Sequence, residues 1–495
     1  MPEGRAPRND ELNDFLDEPD ARPEMEALRG LAVAAGVGWS ILFVVIGLRY
    51  GLQQYADGSM FSYAVVVQDA WAFHWHNISG RLLVYLVTCV PAEAYVALTK
   101  DARGGIVVYG FLFFAAQLVG LAATWAADRS KGRIIFTCAC ASTACFCPLV
   151  FGFPTEMWFV HAVFWPALAL AHYARGGIGG AALVFAVLLA LALTHEAGPL
   201  LAVVILVTLA FRGLRSAAFL RAAGALLAVM SIWTFVKVTL PPDAYDGPMM
   251  RRAALHVFDV TIFTSYMVLL LLGALASYAI AVLVLRRLHP ANAHLYAALL
   301  VAVALAVYWM WFDRALHASQ RYPMRTVLLI AMAALGGLAA AYALHAEGRL
   351  NLPLLPRVMA ALASDPMARA VTGAILIVML VHGVETVKFV RAWTDYEAAV
   401  RELAMGEASD PALGDAHFVS SDRIDADLNR LSWFSTTQFL SVLVAPGLAP
   451  GRLVVDPTAN YFWLSCETAT ANERADRAVL VESRRLVRIH ACLHR

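Results

Sequence analysis

Charge is what this sequence has least of. Only 15% of its 495 residues are Asp, Glu, Lys or Arg, split into 37 acidic and 38 basic. A soluble globular chain carries about 25%. Beside 60% hydrophobic residues and a mean hydropathy of +0.64, this scarcity excludes an ordinary water-soluble core and suits a bundle embedded in a bilayer. The net charge is +1, with no basic stripe interleaved with aromatics, so nucleic acid is excluded as a partner. Cysteine is sparse too, at seven residues. Cys138, Cys140, Cys145 and Cys147 fall in the apolar run CACASTACFC, which has no flanking His or polar cradle. They read as small buried thiols along a helix, not as metal ligands. Cys466 and Cys492 lie in the polar tail and could pair only if that tail is outside the cytoplasm. No inverted repeat of the transporter kind is visible. Met1–Arg29 is polar and carries both signs of charge, so it reads as a flexible cytoplasmic lead and not as a signal peptide.

Long apolar runs are what the chain does have. A membrane-spanning helix needs about 20 of them in succession. The runs are Gly30–Leu48, Gly105–Ala126, Ile134–Phe151, Trp158–Tyr173, Gly179–Leu193, Gly198–Phe211, Ala222–Leu240, Phe258–Leu285, Leu295–Trp311, Thr326–Leu344 and Val371–Val387. They predict an all-α polytopic bundle of about eleven spanning helices. One further apolar segment, LLVYLVTCVPAEAYVAL at 82–98, is interrupted by Pro91 and Glu93 and reads as a helix lying in the interface. With that assignment the Arg-bearing loops DRSKGR, YARGGIGG, FRGLRSAAFLR, LRRLHPANAH and HAEGRLNLPLLPR share one side. The positive-inside rule makes that side cytoplasmic, with the N-terminus inside and the C-terminus outside. The chain then divides into a lead at 1–29, a membrane domain at 30–387 and an extracytoplasmic part at 388–495. In the last part VKFVRAWTDYEAAVRELAM reads as an amphipathic helix leaving the membrane. Strand-like runs follow (HFVSS, FLSVLVA, RLVVD, YFWLSC, AVLVES, LVRIHACL), which predicts a small α+β appendage.

Six basic residues sit on the outer side against the topological trend: Arg81, Arg251, Arg252, Arg314, Arg321 and Arg325. Residues that oppose the trend need another reason, and an anionic group near the outer leaflet is one. Carboxylates and histidines recur at the same face. The first outer loop holds Asp57, Asp69, His74 and His76, the next holds Glu156 and His161, and the one after that His195 and Glu196. Each has a plain reading. Asp57 precedes Gly58 in a turn signal, Asp69 suits the wet face of an interfacial helix, and His74 and His76 point to different faces of a helix, a poor metal pair. The grouping says more than any member. A carboxylate is a general base for an incoming hydroxyl, and arginines clamp a phosphate through paired N–H donors. Together they suit group transfer from a lipid-linked phosphate. Clustered carboxylates are compatible with a divalent ion such as Mg or Mn, but no ligand spacing demands one.

This layout resembles the GT-C superfamily of integral membrane glycosyltransferases, in its bacterial branch. The resemblance rests on the loop ADGSMFSYAVVVQDAWAFHWHNISGRLL after the first span, on THE at Thr194–Glu196 and on RYPMR at Arg321–Arg325. It covers about Gly30 to Val387. It implies a hexosyl or pentosyl transferase that uses a polyprenyl-phosphate-linked sugar, with a glycan, lipid or protein as acceptor, at the outer face of a bacterial inner membrane. Asp57 stands where the family carries its essential acidic residue, and Arg81 where it carries a Gly-Arg. The family often has paired acids in this loop, whereas this chain has Asp57-Gly58 with Asp69 further on, which leaves the base open between Asp57 and Asp69. The resemblance then implies Arg81, Arg321 and Arg325 as holders of the donor phosphate, and Glu156, His195, Glu196 and Arg251 as groups around substrate. The alternative is a transporter or flippase of a lipid-linked or anionic substrate, which needs polar residues half-way through the membrane.

Overall fold

The computed structural model describes residues 23–68, 78–146, 156–239, 255, 263–315, 321–350, 364–406, 418–431, 436–448 and 450–455. Almost all of these are helical. Helix α1, Pro23–Arg49, opens on a proline whose missing N–H costs nothing at a helix start. Glu24 and Glu26 in its first turn and Arg49 in its last complement the helix dipole. Ala32, Gly36, Trp39, Ser40, Phe43 and Gly47 recur at helical spacing and form its buried stripe. Gly36 has room only for a hydrogen, because a Cβ there would strike the Cys140 backbone. That close backbone approach is how membrane helices pack without a hydrophobic force between them.

After α1 come α2 (Asp57–Val67) and α3, which runs through Ile78–Val84, a π-helical turn Tyr85–Cys89, and Val90–Thr99. The π turn has a local cause. Pro91 has no N–H to give the carbonyl four residues back, and its ring would crowd that carbonyl. The chain adapts with Val90 N–H donating to Tyr85 O, five residues back. The helices α4 (Ala102–Phe114) and α5 (Ala116–Ala127) continue one another across Ala115. Then follow α6 (Ile134–Phe146), α7 (Glu156–Tyr173), α8 (Ile178–Ala192), α9 (Gly198–Ala210), α10 (Ala217–Thr239), α11 (Tyr266–Leu288), α12 (Ala293–Trp311), α13 (Arg321–Ala346) and α14 (Asp365–Met405).

Among the described residues, eight helices are long and apolar enough to cross a membrane: Pro23–Arg49, Arg81–Thr99, Ala102–Ala127, Ala217–Val236, Tyr266–Leu288, Ala293–Trp311, Arg325–Ala346 and Asp365–Met405. Four further segments expected to span are helices too, but shorter or less apolar: α6, α7, α8 and α9. The exterior of the bundle is apolar, with Leu227, Leu269, Leu283, Val303 and Val238 exposed. Such a surface marks contact with lipid, and the chain is a multi-pass helical membrane bundle.

Contacts define the two ends of this bundle. Arg369 at the start of α14 pairs with Glu24 at the start of α1 (2.7 Å). At the other end Trp393 Nε1 of α14 donates to Tyr50 O, just past α1 (2.8 Å). Helices α1 and α14 are therefore parallel. The α4–α5 helix runs against them. Phe114 packs on Phe43 with ring centroids 5.3 Å apart, and Gly110 takes the Gln53 side chain, beyond the end of α1. The first turns of α4 thus project past the bundle. Helix α3 leans on that projection, since Gly104 and Gly105 of α4 receive Tyr95 and Val96. Its first turn is tied to the α8–α9 turn by Leu83 N–H donating to Leu193 O (3.1 Å). Its far end leads through Asp101 to Arg103, whose Nη2 donates to Ala445 O of the C-terminal region (2.8 Å). Both ends of α3 therefore belong to one end of the bundle.

The C-terminal region packs on this same end. Helix α14 does not stop at the membrane edge but continues as one 41-residue rod. On it sit strand β1 (Phe418–Ser420), the short α15 (Ala426–Asn429), α16 (Thr437–Val444) and strand β2 (Leu453–Val455), with β1 and β2 parallel in the register Phe418–Leu453. HFVSS and RLVVD hold the two strands, as expected. FLSVLVA does not form a strand; it is helix α16, with Thr437 through Val444 all buried. A short apolar run satisfies a buried strand and a buried helix equally, and here packing against α2, α14 and β2 decides for the helix. YFWLSC, AVLVES, LVRIHACL and both Cys466 and Cys492 lie outside the described residues.

Candidate functional site

The projecting end gathers the charged residues. Glu156 is the first residue of α7, where the exposed N–H groups favour a carboxylate. Its side chain is only 6% exposed and accepts from Arg81 Nη1 of α3 at 2.8 Å. His195 and Arg325 also lie within electrostatic reach of Glu156. His195 and Glu196 form the α8–α9 turn, with Nε2 3.7 Å from Glu196 Oε2. Five side chains from α3, α7, the α8–α9 turn and α13 thus converge: Arg81, Glu156, His195, Glu196 and Arg325. The backbone bond from Leu83 to Leu193 explains why they do, because it holds the start of α3 beside the turn.

His195 has a defined protonation state. Ala197 N–H donates to its Nδ1 (3.0 Å), so the neutral ring carries its proton on Nε2, facing Glu196. A second proton on Nδ1 would oppose that N–H. Burial holds the imidazole below its ordinary range; Glu196 counteracts this, Arg81 reinforces it, Glu156 counteracts it and Arg325 reinforces it. At neutral pH His195 is uncharged, with its Nδ1 lone pair taken by the Ala197 N–H and its Nε2 facing Glu196.

Asp57 opens α2 at its N-terminus. The preceding Ala56 has φ 51°, a conformation unusual for a residue with a Cβ. Asp57 and Glu156 are both within electrostatic reach of the buried Tyr109 of α4. That ring, and Cys89 in the π turn of α3, which also feels Glu156, are neighbours that sequence did not single out. Both look like ordinary core residues of apolar helices. Arg321 begins α13, but its side chain lies outside those described, as do Asp69, His74, His76, Arg251 and Arg252. His161, a candidate by position, is not in this cluster. It lies fully inside α7, with Nδ1 paired to Gln117 Oε1 (2.8 Å) and Nε2 to Ser142 Oγ (2.9 Å), and Trp165 Nε1 donates to Nε2 (3.2 Å). It ties α5, α6 and α7 together.

No protein-family model, curated protein or solved structure matches this chain.

A second polar group occupies the same end. Glu385 of α14 accepts from Trp309 Nε1 of α12 (2.9 Å) and from Lys388 (3.2 Å), and Lys388 lies 3.7 Å from Asp313. Glu385 and Lys388 fall inside a run read as a span and its edge, so their pairing with the WFDR segment emerges only in three dimensions. Among the described residues, no three His, Cys, Asp or Glu side chains group as a metal site would require.

Proposed function

We propose that this chain is a membrane glycosyltransferase that moves a sugar from a polyprenyl-phosphate-linked donor to a glycan, lipid or protein acceptor. The observation that carries the reading is the convergence of Arg81, Arg325, Glu156, His195 and Glu196 at one end of an apolar bundle. Arg81 and Arg325 hold the donor phosphate, together with Arg321 at the start of the same helix. Glu156 orients Arg81, and His195 orients Glu196 toward substrate hydroxyls. Asp57, with Asp69 as the alternative, is the general base that takes the acceptor proton as the acceptor oxygen attacks the sugar carbon and the phosphate leaves.

The placement of α3 supports the topology this needs. With both ends of α3 at one end of the bundle, α3 lies in the interface. The membrane is then crossed by eleven helices: α1, α4–α5, α6, α7, α8, α9, α10, α11, α12, α13 and α14. Arg129, Lys131, Arg133, Arg175, Arg212, Arg215, Arg221, Arg286, Arg287 and Arg349 all fall at the end away from the site, which the positive-inside rule makes cytoplasmic. The site and the C-terminal region then face the periplasm of a bacterial inner membrane. The transporter alternative asks for polar residues midway along the helices; Gln117, Ser142 and His161 are such a group, and they bond to one another.

The test is sugar transfer in isolated membranes from a radiolabelled polyprenyl-phosphate sugar. Asp57→Asn or Asp69→Asn should lower the rate by about 10²–10⁴-fold, and Arg81→Gln should weaken donor binding. Full transfer activity in both Asp variants overturns the mechanism.

A further inference from the structure

The end of the bundle away from the candidate site holds a second, unrelated cluster. Arg212, in the turn after α9, lies over the Tyr173 ring at the end of α7, 5.3 Å from its centroid. The Tyr173 hydroxyl donates to Glu347 Oε1 (2.6 Å), and Arg349 Nη1 is 3.3 Å from Glu347 Oε2. Beside them, Arg221 donates to the carbonyls of Ala174 and Arg175. The cluster joins α7, the α9–α10 turn, the start of α10 and the end of α13. Arg349 pairs with Glu347, and Arg212 lies within electrostatic reach of both.

Two facts suit this cluster to an anion. The Nε and Nη2 donors of Arg212, the edge of the fork that grips oxyanions, are buried and have no hydrogen-bond partner among the described residues. Desolvated donors without an acceptor are costly. The guanidinium is also disfavoured first by burial and then by the nearby charge of Arg349, which Tyr173 and Glu347 offset. Arg212 and Arg349 both bear electrostatically on the buried His172, which places them around the same helix end.

We propose that Arg212 and Arg349, with the Tyr173 ring as a wall, bind the phosphate of an anionic headgroup at the arginine-rich end of the bundle. The phosphate supplies acceptors to the Arg212 fork as the side chain lifts from the ring, and its charge offsets the repulsion between the two guanidiniums. The shared chemistry is a phosphate oxyanion, from a lipid of the adjoining leaflet or from a free phosphate in solution. An anionic leaflet surface favours the lipid.

Native mass spectrometry of the full-length protein in neutral detergent tests this, with phosphatidylglycerol, phosphatidylcholine and inorganic phosphate as separate titrants. Wild type should retain phosphatidylglycerol in preference to phosphatidylcholine. Arg212→Gln and Arg349→Gln should each weaken that retention at least about fivefold, and Arg215→Gln, an exposed neighbour, should not. Displacement of the lipid by millimolar inorganic phosphate would keep the site and assign it to a soluble anion. Equal retention of both lipids by wild type, or retention of phosphatidylglycerol by Arg212→Gln and Arg349→Gln within about twofold of wild type, overturns the proposal. Thermal midpoints in phosphatidylcholine micelles identify any variant that has lost its fold, and Arg212→Lys, which keeps the charge without the fork, then reads the site in its place.

Discussion

Arg81 and Glu156 meet at 2.8 Å, with the carboxylate nearly sealed from water. A buried charge that loses its partner is stranded, and the penalty falls on whichever member remains. Glu156→Gln and Arg81→Gln should therefore each lower stability by about 2 kcal/mol or more, and the double variant should lose less than the sum. Denaturant unfolding in detergent reads this coupling, and additive losses would deny it. His195 carries a different dependence. Its imidazole is held below the ordinary range, so the unfolded chain takes up a proton more readily than the folded one as pH falls. The stability linked to His195 is complete above the ordinary histidine value and is lost as pH drops below it. The thermal midpoint of wild type should fall more steeply between pH 7 and pH 5 than that of His195→Gln; parallel curves would show that His195 does not titrate as argued.

At the scale of elements, the π turn of α3 sets where Arg81 points. One residue added to a helix turns everything beyond it by about 100°. The turn at Tyr85–Cys89 therefore lets Arg81 face Glu156 while Val96 still packs on Gly105. Deleting Val87, which is partly exposed within the turn, together with Pro91→Ala, which removes the cause of the turn, should restore regular α-helix and carry Arg81 away from Glu156. Transfer activity should fall at least about tenfold while the chain still folds; unchanged activity would detach the π turn from the site. Helix α16 shows a comparable device. Its last carbonyls, Val444 and Ala445, accept from Arg401 Nε (3.0 Å) and Arg103 Nη2 (2.8 Å), which complement the negative end of its dipole. Arg103→Ala with Arg401→Ala should loosen the C-terminal region and speed its proteolytic release from membranes. An unaltered cleavage rate would assign its docking to apolar contacts such as Tyr63 with Phe439.

For the whole molecule, the ends defined by Glu24–Arg369 and by Trp393–Tyr50 make a topological statement. Single cysteines in place of Asp427 in the C-terminal region and Gly176 in the α7–α8 loop, in a background without the native cysteines, should label from opposite sides of sealed vesicles. Labelling from the same side would break the proposed sidedness. How much of this was legible beforehand depends on which force is at work. The bilayer requires about 20 consecutive apolar residues per crossing and tolerates few charges. Helices such as α1, α11, α12 and α13 therefore stand out in sequence, and so do Arg81, Glu156, His195, Glu196 and Arg325 as exceptions to the same rule. Composition cannot tell a spanning helix from one lying at the interface. By length and hydropathy Arg81–Thr99 is grouped with the other long apolar helices, and only its tie to Leu193 and its packing on the first turn of α4 bear on where its two ends lie. Nor does local sequence settle a short buried run, as α16 illustrates, since its neighbours come from α2, α14 and β2. Tyr109, Cys89, Glu385 and Lys388 look like ordinary members of apolar helices until packing sets charges beside them. The solvent an element must face was written in the sequence itself, because hydropathy is local. The meeting of α3, α7, the α8–α9 turn and α13 at one end was decided by tertiary structure alone, because it depends on contacts between residues far apart in the chain.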